Sequence, residues 1–199
     1  MAASATMNPV ISSAVGFLGG FFTALFAEPL RRWLYAPHLA LTFGTSIDFL
    51  TRTPESSPAG RHDALYVRIK VVNTRSALAK SCRAYLVNVE REGSSGKFEP
   101  TEYCESMQLG WSTQAEQTFD ALDLPRDVPH FVDIFSTRST SNSFTLATKA
   151  IPLRYEQMLC TPGVYRFTVV VSGDGVKPTT IRPAVSWLGA WHQISKVDS

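Results

Sequence analysis

The stretch LYVRIKV, residues 65–71, decides the fold class of this chain. Its apolar side chains, Leu65, Val67, Ile69 and Val71, alternate with a tyrosine, an arginine and a lysine. A period of two residues is typical of a β-strand with one buried face and one solvated face. The stretch therefore predicts an antiparallel sheet that covers a hydrophobic core on one side.

Strand patterns continue on both sides of this stretch. Residues 39–43 alternate in the same way, whereas residues 51–63, with two prolines and a glycine, predict a surface loop. Further strands are predicted at residues 82–90, 107–111, 117–122, 130–137, 143–147, 164–172 and 179–187, with a hairpin turn at 173–175 and one helical turn at 154–159. Seven to nine short strands without a second long helix predict an antiparallel β-sandwich over residues 37–199. The predicted core contains Leu65, Val67, Ile69, Val71, Tyr165, Phe167, Val169, Val171 and Trp187.

The N-terminal segment has a different character. Residues 1–27 contain no Asp, Glu, Lys or Arg, and residues 10–27 form an apolar run. Eighteen helical residues span about 27 Å, close to the roughly 30 Å of a bilayer's hydrocarbon core. The pattern predicts an N-terminal tail (1–9) and a single transmembrane helix with its juxtamembrane segment (10–36). A cleavable signal peptide and a buried core helix are the alternatives.

The residues after the apolar run predict how the helix is oriented. Arg31, Arg32, Trp33 and Tyr35 have the side chains that lie at a membrane interface. Because basic residues follow the run and none precedes it, the positive-inside rule predicts a single-pass protein of the bacterial inner membrane with a cytoplasmic C-terminal domain. The three scattered cysteines at positions 82, 104 and 160 are compatible with a reducing compartment.

Small residues mark one face of the predicted helix. Ser12, Gly16, Gly20 and Ala24 recur at every fourth position, so they form a stripe along which two helices can approach closely. In lipid, such close packing drives helix association. The stripe predicts a homo-oligomer that pairs through its membrane helix.

The sequence also carries a resemblance. The strand, Asn-Thr turn and strand within residues 67–86 resemble bacterial immunoglobulin-like modules of the CARDB type. The apolar N-terminus together with the segments EPLRRW, LGWS, VPHFVDIF and PGVYRFTVVVSGDG is similar to short bacterial membrane-anchored proteins of unknown function. The resemblance implies an immunoglobulin-like sandwich behind one membrane helix, and it implies no catalytic or binding residue.

Several classes of function are not indicated. The net charge of +2 over 199 residues includes no basic run, so nothing points to nucleic-acid binding. The four histidines are scattered, and no nucleophile elbow, P-loop or dinucleotide fingerprint occurs, so the sequence predicts no enzyme, no metal site and no cofactor.

Two features of the predicted domain remain. Asp133 lies among apolar neighbours, and a buried carboxylate there needs a partner such as an arginine, in a structural ion pair. Trp187 and Trp191 are predicted to close one end of the sandwich or, if exposed, to form a contact patch.

Together these features predict a membrane-anchored, cytoplasm-facing interaction or scaffold module. Its partners would be the lipid bilayer, a second copy of the chain and an unknown protein, and tethering would raise avidity without any reaction chemistry. The alternatives are a membrane-disrupting or oligomeric effector, as in bacterial anti-phage defence, and a periplasmic ligand-binding module, in which Cys104 would be accessible from outside the cell.

Overall fold

A computed structural model of the chain describes residues 27, 35–57, 60–103, 105–112, 117–150 and 155–198. The chain divides into two compact units, residues 1–36 and residues 37–199. The predicted helix-pairing stripe and the interfacial residues Arg31, Arg32 and Trp33 lie outside the described residues. Within the described ranges, no helix combines the length and the apolar character needed to cross a membrane.

Two antiparallel sheets form the second unit. Sheet 1 contains β1 (Leu39–Thr42), β2 (Leu50–Ser57), β3 (Gly60–Asn73), β7 (Trp111–Ser112), β8 (Gln117–Thr118), β10 (Pro129–Arg138) and β11 (Phe144–Leu146). Sheet 2 contains β4 (Ala79–Glu92), β5 (Phe98–Pro100), β6 (Met107–Leu109), β9 (Leu122–Leu124), β12 (Gly163–Asp174), β13 (Val176–Ile181), β14 (Ala184–Trp187) and β15 (Ile194–Val197). A short helix, α1 (Glu156–Cys160), precedes β12.

The longest strands lie at the centre of each sheet. In sheet 1, β3 pairs with β10 along one edge and with β1 and β2 along the other, and β10 also pairs with β7 and β11. In sheet 2, β12 pairs with β4, and the shorter strands flank these two. Long central strands give each sheet a continuous inner face.

The two inner faces pack against each other. The alternation in residues 65–71 is confirmed, because its four aliphatic side chains are buried and Arg68 and Lys70 lie on the outer face. Phe135 of sheet 1 lies 5.1 Å from Phe167 of sheet 2, ring centre to ring centre, and Phe144 lies 5.3 Å from Tyr165. The domain is therefore mainly β, with two antiparallel sheets that share one core as in a β-sandwich.

The Asn-Thr turn carries the chain from sheet 1 to sheet 2. The fully buried Asn73 donates from Nδ2 to the carbonyls of Ala77 (2.7 Å) and Leu124 (3.0 Å). Its Oδ1 accepts from the backbone N–H of Arg75 at 3.2 Å. One buried asparagine side chain thus satisfies three backbone groups, two of the turn and one of β9.

One predicted strand serves both sheets. Residues 107–109 pair with β4 in sheet 2, and residues 111–112 pair with β10 in sheet 1. Between them, the N–H of Gly110 donates to the carbonyl of Ala147 (3.0 Å), and its carbonyl accepts from the N–H of Asp133 (3.2 Å). The alternation of Met107, Leu109 and Trp111 runs through the crossing, so the pattern could not show it.

The prediction of a surface loop at residues 51–63 is wrong. These residues form most of a β-hairpin, in which β2 pairs with β3 from Leu50 opposite Val67 to Ser57 opposite Gly60. Among the described strands β3 is the one partner of β2, so the outer edge of β2 tolerates Pro54. Polar residues dominate this hairpin, and they hid its strand character.

Two further differences concern the C-terminal third. The hairpin turn predicted at residues 173–175 is confirmed by the pairing of Gly173 with Val176, with Gly175 at a φ of +68°. The return strand, however, is divided into β13 and β14 at residues 182–183, where Pro183 cannot donate a ladder hydrogen bond. The last strand, β15, pairs with β14 and was not predicted.

Candidate functional site

A cleft of about 510 Å³ opens where β4 ends and β12 begins. One wall is the β4–β5 hairpin, and the other is the segment that joins α1 to β12. The lining residues are Arg91, Glu92, Gly93, Glu99, Pro100, Thr101, Glu102, Met158, Thr161 and Tyr165.

Two of the lining residues belong to the buried core. Met158 and Tyr165 are buried, at 7% and 2% exposure. The Tyr165 hydroxyl lies within hydrogen-bond distance of the carbonyls of Met158 (3.1 Å) and Thr161 (2.5 Å). Burial raises the pKa of Tyr165, so this phenol is neutral at physiological pH. The cleft therefore has a neutral aromatic and thioether floor.

The exposed wall residues are mostly acidic. Glu92, Glu99 and Glu102 are all exposed, and in the part of the chain that the structure describes none of them is in an ion pair. The Glu99 carboxylate lies against Gly93, where an added Cβ would approach its Oε1 to 2.8 Å. Glycine at this position therefore leaves room for the carboxylate.

The arginine in the cleft is already occupied. Arg91 Nη2 donates to the carbonyl of Pro162 at 2.8 Å, and the guanidinium lies 5.9 Å from the centre of the Tyr165 ring. These two contacts hold the Arg91 guanidinium beside Tyr165, so it is not free to pair with the three carboxylates. The cleft therefore offers unpaired negative charge above an apolar surface, which suits a long basic side chain with an aliphatic stem.

A second polar cluster lies toward the turn end of the β2–β3 hairpin, where Glu55 pairs with His62. Glu55 Oε2 accepts from Arg138 Nε (2.8 Å) and contacts His62 Nε2 (2.9 Å), while Oε1 accepts from the Tyr66 hydroxyl. Burial raises the pKa of Glu55, but the hydrogen bonds from Arg138 and Tyr66 outweigh it and leave the pKa below its ordinary value. Burial and the Glu55 carboxylate raise the pKa of Tyr66 to about 12. The cluster fastens the hairpin to β10.

Replacing Glu55 with alanine is expected to destabilise the domain by about 1–2 kcal/mol, because three side chains lose their common acceptor while remaining partly exposed to water. The free energy of unfolding of the full-length chain in detergent, from urea titration, measures this. Glu99→Ala is the matched control, since Glu99 is exposed and outside the cluster. Equal stability of the two variants would contradict a fastening role.

Asp133 lies on the outer face of sheet 1, directly across from Arg68 in β3. Its predicted burial is confirmed at 3% exposure, but the predicted ion pair with an arginine is wrong. Arg68 instead donates from Nη1 to Ser112 Oγ (3.2 Å) and lies 5.4 Å from the centre of the Phe131 ring. Burial raises the pKa of Asp133 to about 6, against the opposing effects of the Arg68 charge and the Ser112 hydroxyl.

The two tryptophans of the predicted contact patch differ in their surroundings. Trp187 is buried at 1% exposure, and its Nε1 donates to the carbonyl of Ala190 at 3.2 Å. Trp191 is partly exposed, its carbonyl accepts from Thr137 Oγ1 at 2.7 Å, and Arg52 lies 5.6 Å from its ring centre. Tyr35, the one predicted interfacial residue that is described, is exposed.

Sequence reasoning missed both the cleft and the Glu55 cluster. Residues 91–102 lie beside residues 158–165 because β4 pairs with β12 within sheet 2, and Glu55 lies beside Arg138 because β2 and β10 both pair with β3 within sheet 1. No group of three or more metal-ligating side chains is found within the described ranges.

Comparison with models of protein families and with curated proteins gives no match, so the geometry of the cleft and of the two polar clusters carries the functional conclusion.

Proposed function

We propose that this chain is a membrane-anchored interaction module that recruits a basic protein segment at the acidic cleft of sheet 2. The observation that carries the proposal is the set of three unpaired carboxylates around a floor of Met158 and Tyr165. A lysine or arginine of the partner would place its stem on this floor and its charge among Glu92, Glu99 and Glu102.

The anchor is proposed from the sequence. Residues 10–27 would cross the bacterial inner membrane, the stripe at Ser12, Gly16, Gly20 and Ala24 would pair two copies, and Arg31 and Arg32 would keep the domain on the cytoplasmic side. We also propose that the β-domain is immunoglobulin-like, which two face-to-face antiparallel sheets support. Pairing would give each assembly two clefts, so that weak contacts at each cleft combine into a tighter attachment.

Reversing two cleft charges is expected to abolish partner contact. A photoreactive amino acid at Thr101, inside the cleft, should give discrete cross-linked products in cells that express the full-length chain. Glu99→Lys with Glu102→Lys should remove these products, because the partner's basic residue then meets like charges.

The matched control reverses two exposed acidic residues outside the cleft, Asp48→Lys with Asp120→Lys. This variant has the same net charge as the cleft variant and should keep the products. If both variants keep them, or if both lose them, the acidic cleft is not the recruiting surface.

The anchor is tested separately. The full-length chain should sediment with membranes and resist extraction by high salt, and Gly16→Leu with Gly20→Leu should reduce cross-linking between copies without releasing the chain from the membrane. Recovery of the wild-type chain in the supernatant would reject the anchor and leave the cleft proposal standing.

A further inference from the structure

Three adjacent strands of sheet 1 carry buried polar side-chain atoms that have no hydrogen-bond partner. Among the described residues, four buried side-chain nitrogen or oxygen atoms have no hydrogen-bond partner, and all belong to the adjacent strands β3, β7 and β10. Trp111 Nε1 and His130 Nε2 lie on the inner side of the sheet, and Arg68 Nε and Asp133 Oδ1 lie on the outer side. The outer pair is the more informative. Arg68 and Asp133 carry opposite charges and lie directly opposite each other on the adjacent strands β3 and β10.

Arg68 and Asp133 lie opposite each other in the ladder, but Arg68 Nε and Asp133 Oδ1 do not hydrogen-bond to each other. The guanidinium is held by its hydrogen bond to Ser112 and by its position over Phe131, on the neighbouring part of the same face. Arg68 Nε–H therefore keeps a free donor and Asp133 Oδ1 a free acceptor.

The chemistry of the two free atoms defines what can lie between them. A donor and an acceptor that are buried without partners each cost about 1–3 kcal/mol, and native proteins relieve that cost with ordered water. A cation cannot accept from the guanidinium, and an anion would be repelled by the carboxylate. A hydroxyl group accepts one hydrogen bond and donates another. Because Asp133 is only 3% exposed, the group must be small.

We propose that one ordered water molecule binds between Arg68 and Asp133, accepting from Nε–H and donating to Oδ1. The water completes a polar network that joins β3 through Arg68, β7 through Ser112 and β10 through Asp133. His62, Tyr66 and Lys70 are the other titratable side chains on this face of β3, and all three are only partly buried.

Nuclear magnetic resonance of the full-length chain in detergent micelles tests the proposal. The Arg68 Nε–H proton should show a cross-peak at the water frequency whose sign in a rotating-frame experiment reports dipolar contact and not chemical exchange. Asp133→Asn keeps an acceptor oxygen and should keep the cross-peak, whereas Asp133→Leu should lose it. Arg61, an exposed arginine of the same strand, serves as the control signal and should show exchange only.

A crystal structure of the wild-type chain gives an independent answer. The expected result is a single density peak within hydrogen-bond distance of both Arg68 Nε and Asp133 Oδ1. A direct contact between the guanidinium and the carboxylate, an empty gap, or an Arg68 cross-peak that reports exchange alone would overturn the proposal.

Discussion

Replacing Phe144 with alanine is expected to destabilise the domain by about 4 kcal/mol, within the range for removing a buried aromatic ring. Phe144 lies on the three-residue strand β11, and its ring centre is 5.0 Å from that of Phe135 in sheet 1. It is also 5.3 Å from that of Tyr165 and 5.4 Å from that of Trp187, both in sheet 2. Removing the ring would leave a cavity between the two sheets that neither backbone can close.

Chemical denaturation of the full-length chain, followed by tryptophan fluorescence, measures this loss. Phe98→Ala is the matched control, because Phe98 is only partly buried on the edge strand β5 and contacts Arg166 at 4.2 Å from the ring centre. The control should cost about 1–2 kcal/mol. If the two substitutions cost the same, the aromatic cluster around Phe144 does not hold the sheets together.

The stability of the domain is expected to depend on the ionisation of Asp133. Its pKa is about 6 in the folded chain against an ordinary value of 3.8, so the folded state binds this proton more tightly than the unfolded state does. The ionised carboxylate therefore lowers the stability above pH 6. This penalty disappears as the pH falls through 6 toward 4, and it amounts to at most about 3 kcal/mol.

Comparison with Asp133→Asn isolates this effect, because the amide does not titrate. The free energy of unfolding of the wild type should increase relative to the variant between pH 8 and pH 5. His130 acts in the opposite direction in both proteins, since burial lowers its pKa and its contribution to stability falls on acidification. A constant difference between the two proteins over this range would show that Asp133 does not change its charge there.

The sequence predicts those parts of the fold that depend on local alternation. Residues 65–71 and 164–172 alternate strongly because one side of each strand faces the core, and both are strands. The β2–β3 hairpin escapes this pattern because residues 55–57 and 60–63 carry no aliphatic or aromatic core side chain on either face. The short strand β15 has two partly buried apolar residues, Ile194 and Val197, on either side of a serine and a lysine, which is too short a pattern to separate it from a loop.

The candidate sites could not be predicted because they depend on pairing between distant segments. Nothing near Glu55 in the sequence indicates that Arg138 lies beside it, and Arg138 reaches it only because β10 pairs with β3. The surroundings of Asp133 could be predicted in part. Its apolar neighbours correctly predict burial, but the contacts that hold Arg68 away from it come from Ser112 and Phe131, on two different strands.

The crossing at Gly110 has a consequence for how the domain loses its structure. Residues 107–112 contribute to both sheets, and the Gly110 backbone is bonded to Ala147 and Asp133. Unfolding of one sheet by a denaturant must therefore also break backbone hydrogen bonds of the other sheet at residues 107–112. The two sheets should unfold in a single cooperative step. No intermediate with one folded sheet and unpaired edge strands should then accumulate and associate with other chains.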